Sequence, residues 1–223
     1  MQTWAGLLAD SRNYKALKVN IVINPESDSR ASTRHLPPAG RVDYWSSLPD
    51  FGPKGDLERK LEADLAWAQL PVRLFGRSIP QPRLTAFYGE PGISYRYSGL
   101  TLQARGWTDD LQYIRTIVQR YSQSRFNSVL CNLYRSGNDY MGWHADDEPE
   151  LGPKPTIASV SLGAARRFVL KPRDGGEQRY EYLLAPRSLL VMSGDLQRHW
   201  LHQLPKALRV GQLRINLTFR LIS

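Results

Sequence analysis

A chain of 223 residues, 41% hydrophobic and with six tryptophans, can bury a sizeable core without covalent staples, and one domain plus an extension is the expected organisation. The single cysteine, Cys131, excludes an intramolecular disulfide framework, and no stretch approaches the length of a membrane span. The 30 Lys and Arg against 21 Asp and Glu leave a formal charge of +9, which favours polyanionic partners, nucleic acid among them.

Residues 1–55 read as an N-terminal extension, loop-rich or disordered. Its longest apolar run, "WAGLLA", is broken by Asp10 and lacks a basic leader, so no signal peptide is expected. "NPESDSRASTRHLPPAGR" is rich in Ser, Pro and Arg and shows no periodicity. Over residues 56–68, Leu57, Leu61 and Leu65 recur on one helical face. A second helix is predicted from Thr108 to Tyr121. Thr108 serves as N-cap, Asp109 and Asp110 complement the dipole, and Leu111, Ile114, Val118 and Tyr121 form the buried stripe.

Beyond Phe126 the pattern changes to short strands: "FNSVLCNLY", "TIASVSLGA", "RRFVLKP", "RYEYLLA", "RSLLVMSG" and "LRINLTFRL". "RDGGEQR" is a credible hairpin tip between two of them. Helices followed by many strands predict an α+β chain whose second half is an antiparallel sandwich or barrel.

Two stretches carry chemistry. In "MGWHADDE", His144 and Asp146 form an H-x-D pair that, at a strand end, can turn both side chains toward one cation. A third ligand would come from His199 or His202, the two histidines downstream. Two histidines and a carboxylate are the facial triad of non-haem iron(II) oxygenases, which leaves positions open for cosubstrate and dioxygen. In "LRINLTFRL", strict alternation puts Leu213, Ile215, Leu217, Phe219 and Leu221 on one face and Arg214, Asn216, Thr218 and Arg220 on the other. The two arginines stand about 20 Å apart along the backbone, at about 3.3 Å per residue. With no acid between them, their inward-leaning forks suit a small dianion such as 2-oxoglutarate. The competing reading is two buried arginines paired with structural acids. Asn132 and Tyr134 alternate on another strand and can add hydrogen bonds.

"NLYRSGNDYMGWHADDEPELGPKPTIASVSLGAARRF", "HWLHQLPK" and "RINLTFR", in this order, closely resemble the AlkB family of iron(II)/2-oxoglutarate-dependent nucleic-acid dealkylating dioxygenases. The match is nearest the eukaryotic-type branch with double-strand-acting enzymes and their bacterial relatives. It runs from Pro82 to the C-terminus, more loosely from Leu70. The resemblance implies a double-stranded β-helix (jelly-roll) core with supporting N-terminal helices, and a dioxygenase domain spanning 56–223. It implies iron(II) held by His144, Asp146 and His202, His202 being preferred because it stands in "HQLP". It implies 2-oxoglutarate, with dioxygen as second cosubstrate, bound by Asn132, Tyr134, Arg214, Asn216, Thr218 and Arg220. Arg214 would take the distal carboxylate and Arg220 would sit nearer the metal.

For substrate the resemblance implies alkylated DNA and direct-reversal repair of 1-methyladenine and 3-methylcytosine, releasing formaldehyde. Tyr95 and Tyr97 in "GISYRYSG" would hold the flipped base, with Asp147 and Glu148 at the pocket edge; cross-strand aromatic packing is the competing reading for the two tyrosines. Phe75 in "RLFGR" stands near the place of an aromatic finger that fills the gap in the duplex, the competing reading being a core Phe beside a Gly turn. Arg166, Arg167, Lys171 and Arg173 offer a phosphate track or simply a solvated face. A monomer is expected, free of membranes and cytoplasmic, nucleoid-associated in a bacterium or nuclear in a eukaryote. RNA demethylation, a catalytically silent metal-containing nucleic-acid-binding module and a zinc hydrolase are the alternatives. Neither non-oxygenase reading explains Arg214 and Arg220 on one strand face.

Overall fold

The computed structural model describes residues 19–22, 31–51, 56–74, 77–97 and 99–223. The first part contains β1 (Val19–Val22), β2 (Ser32–Leu36), β3 (Gly40–Trp45) and α1 (Asp56–Asp64). A short hairpin, β4 (Pro71–Leu74) and β5 (Arg77–Pro80), precedes β6 (Leu84–Gly89), and a second hairpin, β7 (Ser94–Tyr97) and β8 (Leu100–Gln103), precedes α2 (Asp109–Ser122). Then follow β9 (Ser128–Tyr134), β10 (Met141–His144), β11 (Ile157–Gly163), β12 (Arg166–Pro172), β13 (Arg179–Leu184) and β14 (Ser188–Gly194). The short α3 (Leu196–His199), β15 (Trp200–Leu204) and β16 (Arg214–Arg220) complete the chain.

Two sheets make the core. A seven-stranded sheet runs β2-β3-β14-β11-β16-β9-β6, and a five-stranded sheet runs β1-β13-β12-β15-β10. Apart from the parallel pair β1 and β13, every pairing in these sheets is antiparallel, which gives the jelly-roll core. One apolar cluster joins Leu57 and Leu61 of α1 and Leu111, Ile114 and Val118 of α2 to Val129, Val160, Ile215, Leu217 and Phe219. A second lies between the sheets, with Leu130, Leu190 and Met192 on one side and Phe168, Leu170, Tyr182 and Leu204 on the other. Because helices cover one face of the large sheet and the small sheet covers the other, every residue of β9 and β16 is buried. The polar face of β16 therefore cannot meet bulk water.

The predicted local elements form for the predicted reasons. The Thr108 side chain caps α2 by accepting from Leu111 N at 3.3 Å, and the helix stops at Gln123, whose φ of 51° is left-handed. The helix predicted over 56–68 ends at Asp64. Beyond it the chain must turn so that Ala68 can exchange backbone hydrogen bonds of 2.9 and 2.8 Å with Thr85. Gly163 is required at the β11–β12 corner: its φ is +78°, and a Cβ there would stand 2.4 Å from the Leu213 carbonyl oxygen.

Two expectations are corrected. Residues 32–45, read as part of a loop-rich arm, form β2 and β3, and β3 pairs with β14 from Leu189↔Trp45 to Gly194↔Gly40. β2 is a polar edge strand, so composition hides it. β3 is held by long-range contacts, among them the Tyr44 hydroxyl donating to Leu183 O at 2.7 Å. The proposed phosphate track also divides. Arg166 is 1% exposed and spends its guanidinium on the carbonyls of Asp139 (2.9 Å), Pro205 (2.8 Å) and Ser136 (3.3 Å), while Arg167 pairs with Glu181. Arg166 is thus an internal clamp tying the β9–β10 and β15–β16 loops together. Arg166→Ala would strand those carbonyls and should lower stability by about 3 kcal/mol in urea denaturation. A loss under about 0.5 kcal/mol would show the clamp to be dispensable.

Candidate active site

β10 carries a register shift. Met141 pairs with Leu204 and His144 with His202, so three steps along β10 match two along β15. Simple alternation would put Met141 and His144 on opposite faces. The bulge restores them to one face, and both line the cavity between the sheets. Asp146 follows at the strand exit, where its backbone N–H donates to Gln197 Oε1 of α3 at 2.9 Å.

His144, Asp146 and His202 converge, with one potential ligand atom from each lying within 4.8 Å of the others. The imidazoles are 4.2 Å apart between centroids, and His202 Nε2 is 4.0 Å from Asp146 Oδ2. His144 Nδ1 lies 2.9 Å from Gly142 O, which fixes that nitrogen as donor and leaves Nε2 for a cation. Asp146 Oδ1 accepts from Arg220 Nη2 at 2.8 Å. Burial pushes the Asp146 carboxyl upward, but Arg220, His202 and His144 outweigh it and hold it at about 2. Burial, followed by the charge of His144, drives His202 down to about 3, and burial also lowers His144. The set is therefore one anion and two neutral imidazoles at neutral pH, the donor set that iron(II) requires. His199 stands apart. It ends α3 on a surface groove beside Arg198 and Trp200 and does not line the cavity.

The same cavity receives the polar face of β16, with Arg214, Asn216, Thr218 and Arg220, and from β9 Asn132 and Tyr134. Asn132 Nδ2 and Thr218 Oγ1 both donate to Asn216 Oδ1, at 3.3 and 2.9 Å. The two arginines differ. Arg220 has Asp146 as its counter-charge, as the competing sequence reading required. Arg214 is 2% exposed and has no carboxylate partner among the described residues. Its Nη2 donates to Ser161 Oγ at 2.8 Å, its Nε lacks a partner, and its guanidinium lies 5.2 Å from the Tyr134 ring centroid. Burial lowers its pKa to about 10 despite Tyr134. A buried, uncompensated cation is costly unless an anion joins it.

Sequence reasoning missed four contributors. Ser159 and Ser161 alternate on β11 opposite Thr218 and Asn216, and Ser159 Oγ accepts from Asn216 Nδ2 at 2.8 Å. Their spacing of two was a usable signal. Arg83, 3% exposed, donates from Nε to Asn132 Oδ1 at 2.8 Å. A lone arginine before a strand and Gln197 in a helical turn offer no local signal.

On the substrate side the structure is less open than expected. Tyr95 is fully buried, 5.8 Å from the Phe87 ring and 5.2 Å beneath the Arg220 guanidinium, so no face of it is free for a base. It interacts with Glu148, whose carboxyl burial and Asp146 push upward. Asp147 sits at the surface, paired with Arg173 at 2.7 Å. Tyr97 lies on β7, but its side chain is outside the described ones, and Phe75 lies outside the described residues.

A jelly roll in which His144, Asp146 and His202 share one cavity with the buried Arg214 defines the class. The family model described as 2OG-Fe(II) oxygenase superfamily matches residues 58–220. The chain is 38% identical to the DNA oxidative demethylase ALKBH2 of Mus musculus, over 85% of this chain and 83% of that protein. It is 39% identical to the protein of the same name from Arabidopsis thaliana, over 96% and 77%. It is 36% identical to alpha-ketoglutarate-dependent dioxygenase alkB homolog 3 of Mus musculus, over 84% and 68%. The solved structure of OsALKBH1 shares the fold, with a TM-score of 0.57 at 16% identity, covering 85% of this chain and 100% of that one. The chain belongs to the AlkB family of the 2OG-Fe(II) oxygenases and is an iron(II)/2-oxoglutarate-dependent dioxygenase.

Proposed function

We propose that the chain removes N-linked methyl groups from bases such as 1-methyladenine and 3-methylcytosine in DNA, as a direct-reversal repair enzyme. One observation carries the chemistry: the buried Arg214, without an acid partner among the described residues, shares a cavity with His144, Asp146 and His202. The substrate class draws on the two relatives whose names specify DNA oxidative demethylation and on the +9 charge.

His144, Asp146 and His202 would hold iron(II), which with 2-oxoglutarate and dioxygen supplies the oxidation of the methyl carbon. Arg214 would anchor the distal carboxylate and Arg220 would face the one nearer the metal, with Asn132, Tyr134, Asn216 and Thr218 completing the site. Glu148, close to the Asp146 charge, would favour the cationic methylated base over its neutral parent, whereas Asp147 is already paired with Arg173. Once the methyl is hydroxylated, its hydroxyl gives up its proton to water and the oxygen forms the C=O bond of formaldehyde as the C–N bond breaks and the electron pair returns to the ring nitrogen. The damaged base cannot pair normally, so its extrusion from the duplex costs less.

Methylated oligonucleotides, single- and double-stranded, incubated with iron-loaded protein and 2-oxoglutarate, should lose the methyl group by mass spectrometry with matching succinate. Succinate without methyl loss would exclude this substrate, and a better response from oligoribonucleotides would reassign it to RNA. We assign Phe75 as the finger that fills the vacated stack. Phe75→Ala should then lose most duplex repair, about ten-fold or more, while sparing short single strands. Unchanged duplex repair would remove that role.

A further inference from the structure

Trp143 immediately precedes His144 yet points the other way. The bulge that turns Met141 and His144 into the cavity leaves Tyr140 and Trp143 outside, 37% and 36% exposed. Each ring carries an ammonium: Lys171 Nζ lies 4.5 Å from the Trp143 centroid and Lys206 Nζ 5.1 Å from that of Tyr140. The lysines ion-paired among the described residues are Lys60 and Lys154, so neither of these ammoniums is neutralised there. β10 is also the edge of its sheet, with no described strand on its outer side. Gly142, exposed and lying between the two residues in sequence, adds no side chain that would obstruct an approaching strand.

We propose that this outer face of β10 is a stacking platform for unpaired bases flanking the nucleotide delivered to the cavity. Aromatic rings backed by cations bind bases through their π-faces and phosphates through charge, whatever the sequence. A protein partner would call for a continuous apolar surface, whereas here each ring sits beside a lysine and the chain carries +9. The proposal rests on the nucleic-acid reading above and adds where the strand runs and how it is held.

The test is fluorescence anisotropy of labelled, unmethylated oligothymidylate with the full chain. Trp143→Ala should weaken binding about ten-fold with an unchanged salt dependence, and Trp143→Phe should keep most of the affinity. Lys206→Gln should instead reduce the slope of log K against log salt by about 0.7. Binding of blunt duplex, whose bases are already stacked, should change little in Trp143→Ala. Wild-type affinity in Trp143→Ala would overturn the platform, as would a Phe variant as weak as the Ala variant, an equal loss on duplex, or no binding by wild type. Because the probe is unmethylated, tight Trp143-dependent binding without methyl loss would sink only the reaction proposed above. Methyl loss with Trp143-independent binding would sink only the platform.

Discussion

His144→Ala, Asp146→Ala and His202→Ala are each expected to reduce succinate release to the background of the metal-free protein, while His199→Ala keeps most of it. Each of the three removes one ligand atom from a set confined within 4.8 Å, and His199 is on a separate groove. The variants should differ in stability. Asp146→Ala leaves the buried Arg220 guanidinium without its counter-charge and should cost about 3 kcal/mol as well as activity. His202→Ala removes a group already held neutral, so only packing is lost. An inactive His199→Ala beside an active His202→Ala would show that the wrong histidine had been chosen.

Arg214→Ala should raise the 2-oxoglutarate requirement about 100-fold, the loss of a bidentate charge-assisted contact in a confined site, with iron affinity alone changing little. Thermal stability without cosubstrate should scarcely fall, because the variant strands no described carboxylate and removes a desolvated cation. Arg214→Lys should restore only part of the affinity, since an ammonium has no fork. Equal losses of cosubstrate and iron affinity, with a lowered melting temperature, would make Arg214 a structural residue.

Much of this was legible locally. Alternation in 213–221 separated the apolar face from the polar one, and the structure turns Ile215, Leu217 and Phe219 to the helices and the arginines to the cavity. The stripe of α2 and its Thr108 cap were equally plain. The H-x-D pair was visible, but spacing alone left His199 and His202 open. They were separated by pairing: β15 sets His202 opposite His144, whereas His199 ends the preceding helical turn.

The sequence by itself determined faces, caps and residue types, because a strand repeats every two residues and a helix every 3.6, so these patterns are written within a few neighbours. Only the tertiary structure decided partners. It showed that Arg220 meets Asp146 across 74 positions while Arg214 meets no acid among the described residues, and that Arg166 turns inward rather than toward phosphate. It also added residues 32–45 to the large sheet and placed the bulge that sends His144 inward and Trp143 outward. Such choices depend on which distant strand lies alongside, and the hydrogen bonds and charges that fix them leave no period in the chain.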